Sequence, residues 1–507
     1  MRELIKSTDK RRLELIELLI NVNDWITLKD ISQHINSSIR NIQNDLSYIN
    51  SSVEGIHIKT NQTGIRISID DDYNIQDYYR IVLKQALTFQ IFEAIFFYEN
   101  FSVSELAVKL NVSTPSIYRA IDHLNQYFDS YGCRIESNPC RLIGDERYIR
   151  ILYRTYFKEI GSPVDWPFKT LDEKDVDDAL KLLLNVIEQL AGDYFSNFDF
   201  AHFWTIKLII CVNLIRYLNG HMVKKCKKHN HFVTLLSQVL YLVPTSNIFK
   251  SIGIQNITPK LMYQLLYPYY KKNFAFSWGD LVKVRSHEEY IDQALTHLEE
   301  FLQSLATTIY IGIDIQKLLI MSYGTIYLED DDPNAHYILN NTNNSFALML
   351  KSNYPSLYKK FYQAIKHFRE LLKVSTDDNK IHFIIYTLMT HWNNLFIDIH
   401  TKHQQLSVLI LSEAHFSHAK AIQEVLAAKI NFNVIFETYN QRELSIDTLQ
   451  NIKHDIIVST FTIPDEVDKP TIIIDQYPNN LDILRVLRLV EQMIDKKVLE
   501  FQEKLNF

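Results

Sequence analysis

Apolar positions near the N-terminus of the chain fall in a pattern that occurs twice. Ile31, Ile35, Ile42, Leu46 and Ile49 have the same spacing as Leu106, Leu110, Ile117, Ile121 and Leu124, each pair 75 residues apart. Both sets lie on two short helical patterns split by a polar break, Asn36-Ser37-Ser38 in the first and Asn111-Val112-Ser113 in the second. Two helices joined by a short turn, the second with one apolar and one polar face, make a helix-turn-helix. Two copies in register point to a nucleic-acid-binding regulator.

The flanking segments extend the pattern. Arg11 to Val22 precedes the first pair with Leu15, Leu18 and Leu19 at helical spacing, and Gln90 to Tyr98 precedes the second. Thr27, with Asp30 three residues on, and Ser102 are placed to cap the helices that follow. After the first pair, Ile56–Lys59 and Ile65–Ile69 alternate apolar and polar residues around a turn at Asn61–Gly64. After the second pair, Cys133–Glu136 and Cys140–Gly144 flank Asn138-Pro139. Each reads as a two-stranded wing. In the first recognition helix Ile39, Ile42, Leu46 and Ile49 are expected inward, leaving Ser38, Arg40, Asn41, Gln43 and Asn44 to face DNA. In the second, Thr114, Ser116, Tyr118, Arg119 and His123 take that role. Arg forks onto guanine, Asn and Gln onto adenine, and Ser or Thr onto phosphate or either base.

Beyond Arg147 the pattern changes. Tyr148 to Ile160 continues as a helix and breaks at Gly161–Phe168, after which helical periodicity runs for some 230 residues, roughly counted. Its clearest segments are Asp175–Leu190, Phe200–Leu218, Phe232–Leu240, Pro259–Tyr270, Glu288–Leu305, Ile315–Tyr327, Pro355–Leu372 and Lys380–His400. Two helical bundles fit, with a break near Arg285-Ser286-His287; Glu329–Pro333 and Asn340–Asn344 read as exposed loops. The end of the chain alternates again, with buried-type strands at Ser407–Leu411, Asn433–Phe436, Asp455–Ser459 and Thr471–Ile474 and helices at His418–Lys429 and Leu481–Val498. That is the pattern of a small parallel α/β sheet covered on both faces. The loop Ser412–His418 after its first strand contains neither Gly nor Cys, so it is neither a phosphate-cradling loop nor a thiol nucleophile.

Composition narrows this picture. A chain of 507 residues that is 47% hydrophobic and 22% charged suits several domains, and its 11 Gly and 12 Pro favour helices with short connections. No run of apolar residues is long enough to span a membrane, and the N-terminus lacks a signal peptide's apolar core, so cytoplasmic residence without membrane contact is expected. The 4 Cys form no C-x-x-C pair, which leaves no metal site to expect; Cys133 and Cys140, across the second wing, are expected as two thiols. The net charge of −7 does not exclude DNA, because the local field over the contact surface decides. Lys10-Arg11-Arg12, Arg40, Lys59 and Arg66 supply that field in the first unit, Arg119, Arg134 and Arg141 in the second. The field is modest, so two protomers are expected to engage double-stranded DNA together as a homodimer.

This order of parts resembles the Mga/AtxA family of regulators of Gram-positive bacteria. The resemblance rests on the paired helix-turn-helix segments, the Asp165-Trp166-Pro167-Phe168 boundary, and Tyr386-Thr387-Leu388-Met389-Thr390-His391-Trp392. It implies a multi-domain, mainly α protein: winged helix-turn-helix units at 1–72 and 73–147, phosphotransferase-system (PTS) regulation domains at 148–285 and 286–402, and an enzyme-IIB-like α/β domain at 403–507. It further implies transcriptional activation, no catalytic activity, no cofactor, and phosphate received from PTS phosphocarrier proteins on His391, with His202 as a second site. The C-terminal domain departs from enzyme IIB at the phosphoacceptor Cys. Two other readings stay open, an RNA-binding antiterminator sharing regulation domains and a phosphotransferase component. The duplicated winged helices oppose the first, and the missing Cys opposes the second.

Overall fold

The computed structural model describes residues 1–507 apart from 23, 192–199, 225–246, 272, 276, 309–311, 330–336, 397–404, 431–433 and 506–507. The chain folds into two compact units, Met1–Val284 with Tyr323–Thr342, and Arg285–Ser322 with Asn343–Phe507.

The first unit opens with α1 (Ser7–Val22), α2 (Leu28–Ile35) and α3 (Ile39–Ser52), then the antiparallel hairpin of β1 (Ile56–Asn61) and β2 (Gly64–Ile69). The second pass begins with α4 (Ile75–Gln85), a helix the sequence reading lacks, and α5 (Leu87–Phe97). It continues with α6 (Val103–Lys109), α7 (Thr114–Phe128) and the hairpin β3 (Arg134–Ser137) and β4 (Cys140–Ile143). Equivalent local devices build both copies. Thr27 and Ser102 cap α2 and α6 by accepting from the Asp30 and Glu105 amides. Asn36 and Asn111 carry the turn in the left-handed region at φ 51° and 52°, where Asn is tolerated. A backbone bridge joins each hairpin to the segment before its helix-turn-helix. The Ile26 and Ile65 backbones exchange hydrogen bonds, and on the second pass the Cys140 amide donates to the Phe101 carbonyl while the Cys140 carbonyl accepts from the Asn100 amide.

Among the described residues the rest of this unit is mainly helical. It comprises α8 (Glu146–Ile160), α9 (Glu173–Ala191), α10 (Phe200–Leu218), α11 (Asn247–Ser251), α12 (Pro259–Leu266) and α13 (Trp278–His287). Because α8 packs on α4 and on α10, one apolar core runs from the first helices into the helical region. The helix expected at Phe232–Leu240 lies outside the described residues, as does most of the loop expected at Glu329–Pro333. The break expected near Arg285–His287 coincides with the division between the two units at Val284/Arg285, although α13 runs through it without interruption.

In the second unit α14 (Glu289–Thr308), α17 (Pro355–Leu371) and α18 (Asp378–His391) pack in sequence. The helix α15 (Ile315–Glu329) crosses the division between the two units, and α16 (Thr342–Asn353) opens the second segment of this one. Asn340–Asn344 is therefore not all loop; α16 starts inside it, and its buried Ala347 and Leu350 are what turn a polar start into a helix. Within Lys380–His400, α18 stops at His391, and residues 397–400 lie outside the described residues. The C-terminal part holds β5 (Leu406–Leu411), α19 (Phe416–Lys429), β6 (Val434–Thr438), α20 (Ile446–Gln450), β7 (Ile456–Ser459), β8 (Thr471–Ile473) and α21 (Asn480–Leu505). The four strands are parallel in the order β6-β5-β7-β8, with β5 and β7 apolar on both faces.

Candidate nucleic-acid interface

The recognition helices are positioned by burial of one face. On α3, Ile42, Leu46 and Ile49 are buried, and Ser38, Arg40, Asn41, Gln43 and Asn44 are all exposed. Ile39 corrects the sequence reading: it is 45% exposed, because the first residue of the helix lies past the edge of the packed face. Ser38 accepts from the Asn41 amide, so its hydroxyl is partly committed to the helix end. On α7, Ile117, Ile121 and Leu124 are buried, Tyr118 and Arg119 are exposed, and Thr114, Ser116 and His123 are half-buried. Ser113 and Ser116 share a hydroxyl–hydroxyl bond of 2.8 Å, and the Arg119 guanidinium lies 3.4 Å from the Ser116 hydroxyl, a polar row along the start of the helix.

The hairpins add exposed cations. Lys59 and Arg66 face each other across β1 and β2, a like-charge pair that costs stability and so favours an anionic neighbour. Arg134 and Arg141 are exposed on the second hairpin, Arg141 bridged to Glu136 at 2.6 Å. Arg11 and Arg12 do not belong to this field. They close on Asp45, which is only 1% exposed, at 2.5 and 3.1 Å, and Arg12 also stacks over Tyr48 at 3.5 Å. Two neighbouring arginines and a distant Asp thus hold α1 against α3. The alternation of apolar residues carries no sign of this, although a lone Asp inside an apolar face is the signal that was there to read.

A buried ionic cluster ties the second copy to the helical region. Glu146, at the start of α8, accepts from Arg150 at 2.9 Å and from Arg216 at 3.0 and 2.7 Å. Arg216 also reaches Glu99 and the Leu142 carbonyl at 3.4 Å, and His221 meets Glu99 at 2.7 Å. Burial alone would raise the Glu146 carboxyl, but the bonds and charges of Arg216 and Arg150 hold it below the ordinary carboxylate range. Burial pushes the Cys133 and Cys140 thiols up to about 11; both are free and inert, and Cys140 registers with Ser137 across the hairpin.

His391 is the last residue of α18 and half-buried, its Nδ1 at 2.8 Å from the Thr387 carbonyl. A carbonyl oxygen only accepts, so Nδ1 is the donor in that bond. His382, near the start of the same helix, has Nε2 on the Tyr358 hydroxyl and Nδ1 on Asn344 Oδ1, both at 2.9 Å. His202 sits in the first turn of α10; its side chain lies outside the described residues. Beyond β5, the Ser412 hydroxyl pairs with His418 Nδ1 at 2.7 Å.

Two helix-turn-helix copies ahead of a long helical region and a small parallel sheet define a multi-domain regulator. The family model described as the M protein trans-acting positive regulator (MGA) HTH domain matches residues 6–64, the Mga helix-turn-helix domain matches 71–157, and the MGA PRD domain matches 179–395. The chain belongs to the Mga/AtxA family. A "putative trans-acting regulator" of Streptococcus pneumoniae is 25% identical over 97% of this chain and 99% of its own. The "anthrax toxin expression trans-acting positive regulator" of Bacillus anthracis is 20% identical over 96% and 99%. The "capsule synthesis positive regulator AcpB" of the same organism is 26% identical over 44% and 46%. Among the described residues no helix is long and apolar enough to cross a membrane.

Proposed function

We propose that this protein is a cytoplasmic DNA-binding transcription activator whose activity and dimerisation are tuned by histidine phosphorylation from the PTS. The observation that carries the reading is the repeated geometry: two recognition helices, each with an exposed polar face opposite a buried apolar one, at equivalent positions of a duplicated unit. The two hairpins act as wings, their arginines and Lys59 on phosphate, while Arg40, Asn41, Gln43, Asn44, Arg119 and their neighbours meet base edges. The positive regulation named for the relatives supports activation rather than repression.

In this reading the chain divides at 1–72, 73–147, 148–285, 286–402 and 403–507, the last part an enzyme-IIB-like module without phosphotransfer chemistry. His391 accepts phosphate through Nε2, and His202 is compared as the second acceptor. Phosphate brings about −1.5 to −2 charge, by analogy with hydroxyl esters, and a group that bulky near packed helices shifts how they associate. The test is titration with promoter duplex and with the matching RNA at several stated salt concentrations. Duplex binding with a steep salt slope, lost in the Arg119→Ala/Ser116→Ala variant, supports the reading. Preference for the RNA would replace it with the antiterminator reading.

A further inference from the structure

Within the first unit, the end of β4, the first turn of α8 and the segment around α12 enclose a cavity of about 560 Å³. That is the size of a small-molecule site. Its walls include the buried rings of Tyr263, Tyr267 and Tyr270, and Arg147, Lys224 and Lys271 bring three cations to it. Two carboxylates also line it. Asp145 caps α8 and pairs with Arg147 at 2.7 Å, while Glu146 is balanced by Arg150 and Arg216. The field inside is therefore positive.

The site is held in place before any ligand arrives. The Gln264 side chain, 3% exposed, accepts from the Val223 amide at 2.8 Å and donates to its carbonyl at 3.0 Å, and the Tyr263 hydroxyl donates to the Lys224 carbonyl at 2.9 Å. These three bonds fix the backbone that presents Lys224. The Arg147 bond, helped by the charge of Lys224, holds Asp145 below the usual carboxylate range. A second cavity of similar size holds Lys84 bridged to Asp165, Lys169 to Glu93, and Lys109 over Tyr98.

We propose that the first cavity binds a small phosphorylated ring metabolite, a sugar phosphate or a nucleoside monophosphate, with its phosphate among Lys224, Lys271 and Arg147 and its ring against the tyrosines. Aromatic faces accept the C–H face of a sugar or the plane of a base, and the cations take the phosphate. Glu146 is shared between this wall and the Arg216 cluster, so occupancy bears on the junction behind the second helix-turn-helix.

The test uses the full-length protein, with glucose 6-phosphate and adenosine monophosphate as probes and glucose, adenosine and inorganic phosphate as their components. Calorimetry is expected to give one site per chain for at least one phosphorylated probe, with a melting temperature that climbs with its concentration. Lys224→Gln with Lys271→Gln should weaken binding about tenfold or more, while Lys109→Gln in the second cavity leaves it unchanged. Should the double variant fold poorly, the exposed Lys224 is compared alone as Gln and as Arg, only the Gln form losing affinity. Whichever probe binds names the source. No binding of either at millimolar concentration overturns the proposal. So does full affinity in the Gln variants, or inorganic phosphate binding as tightly as both probes.

Discussion

Asp45 shows how much one side chain fixes in the first helix-turn-helix. Its carboxylate is buried between two arginines that remain about one-fifth exposed. Removing it leaves Arg11 against an apolar helix without its counter-charge and Arg12 with Asp9 alone, so Asp45→Ala should cost about 2–3 kcal/mol, discounted from a fully buried pair for solvent screening. Urea unfolding checks this, and a loss within the noise of the midpoint would make the bridge ornamental. The polar row on α7 behaves oppositely. Arg119 is exposed and Ser116 half-buried, neither filling the core, so the Arg119→Ala/Ser116→Ala variant should keep its far-ultraviolet dichroism and lose duplex binding. Each lost phosphate contact should also lower the salt slope by about one. Unchanged binding would leave α7 without a reading role.

Elements depend on a few backbone and titratable groups. Gly64 has φ +149°, and a Cβ there would lie 2.5 Å from the Ile26 carbonyl oxygen, where the Ile26 backbone bridges to β2. Gly64→Ala should therefore destabilise the first hairpin by about 2 kcal/mol, visible as a lower urea midpoint at unchanged slope. Two pH windows follow from packing. Burial lowers the His382 pKa, and its two partners already suit a neutral imidazole. A folded pKa below the unfolded value near 6.5 stabilises fully above that value and is lost as pH falls through the folded one. Glu146, also lowered, contributes above its unfolded value near 4.3 and fails only at more acid pH. Hydrogen exchange should thus show α18 beginning to loosen as pH falls below about 6.5, with the Glu146 cluster intact until below about pH 4.5. Simultaneous loss of both would contradict the assignment.

At the scale of the whole molecule, the proposal joins DNA reading to assembly. Removing residues 403–507 should weaken dimerisation and DNA binding together while the duplicated N-terminal unit, with its own core, stays folded. A truncated chain that remains dimeric at micromolar concentration in light scattering would take the C-terminal domain out of that role. His391→Asp should shift the dimer equilibrium, and His391→Ala should abolish the response to phosphorelay proteins. Incubation with phosphoenolpyruvate and those proteins, followed by mapping of acid-labile phosphate, decides whether His391 or His202 carries the label. No label on either would leave the helical region as a scaffold.

The sequence alone determined what depends on local periodicity. The 75-residue repeat, the caps at Thr27 and Ser102, the exposed faces of the two recognition helices and the parallel C-terminal sheet were all legible, because burial of one face stamps a period of 3.6 or 2 on the residues themselves. Even the left-handed turns stood in plain sight as Asn36 and Asn111. Only the tertiary structure decided where polar side chains go once the helices pack. Arg11 and Arg12, which read as DNA-facing charge, instead satisfy Asp45; Glu99, Glu146, Arg150, Arg216 and His221 meet from segments up to 122 residues apart. A charge has no period, and its partner is chosen by the desolvation cost of leaving it alone, a quantity that exists only when the chain is folded.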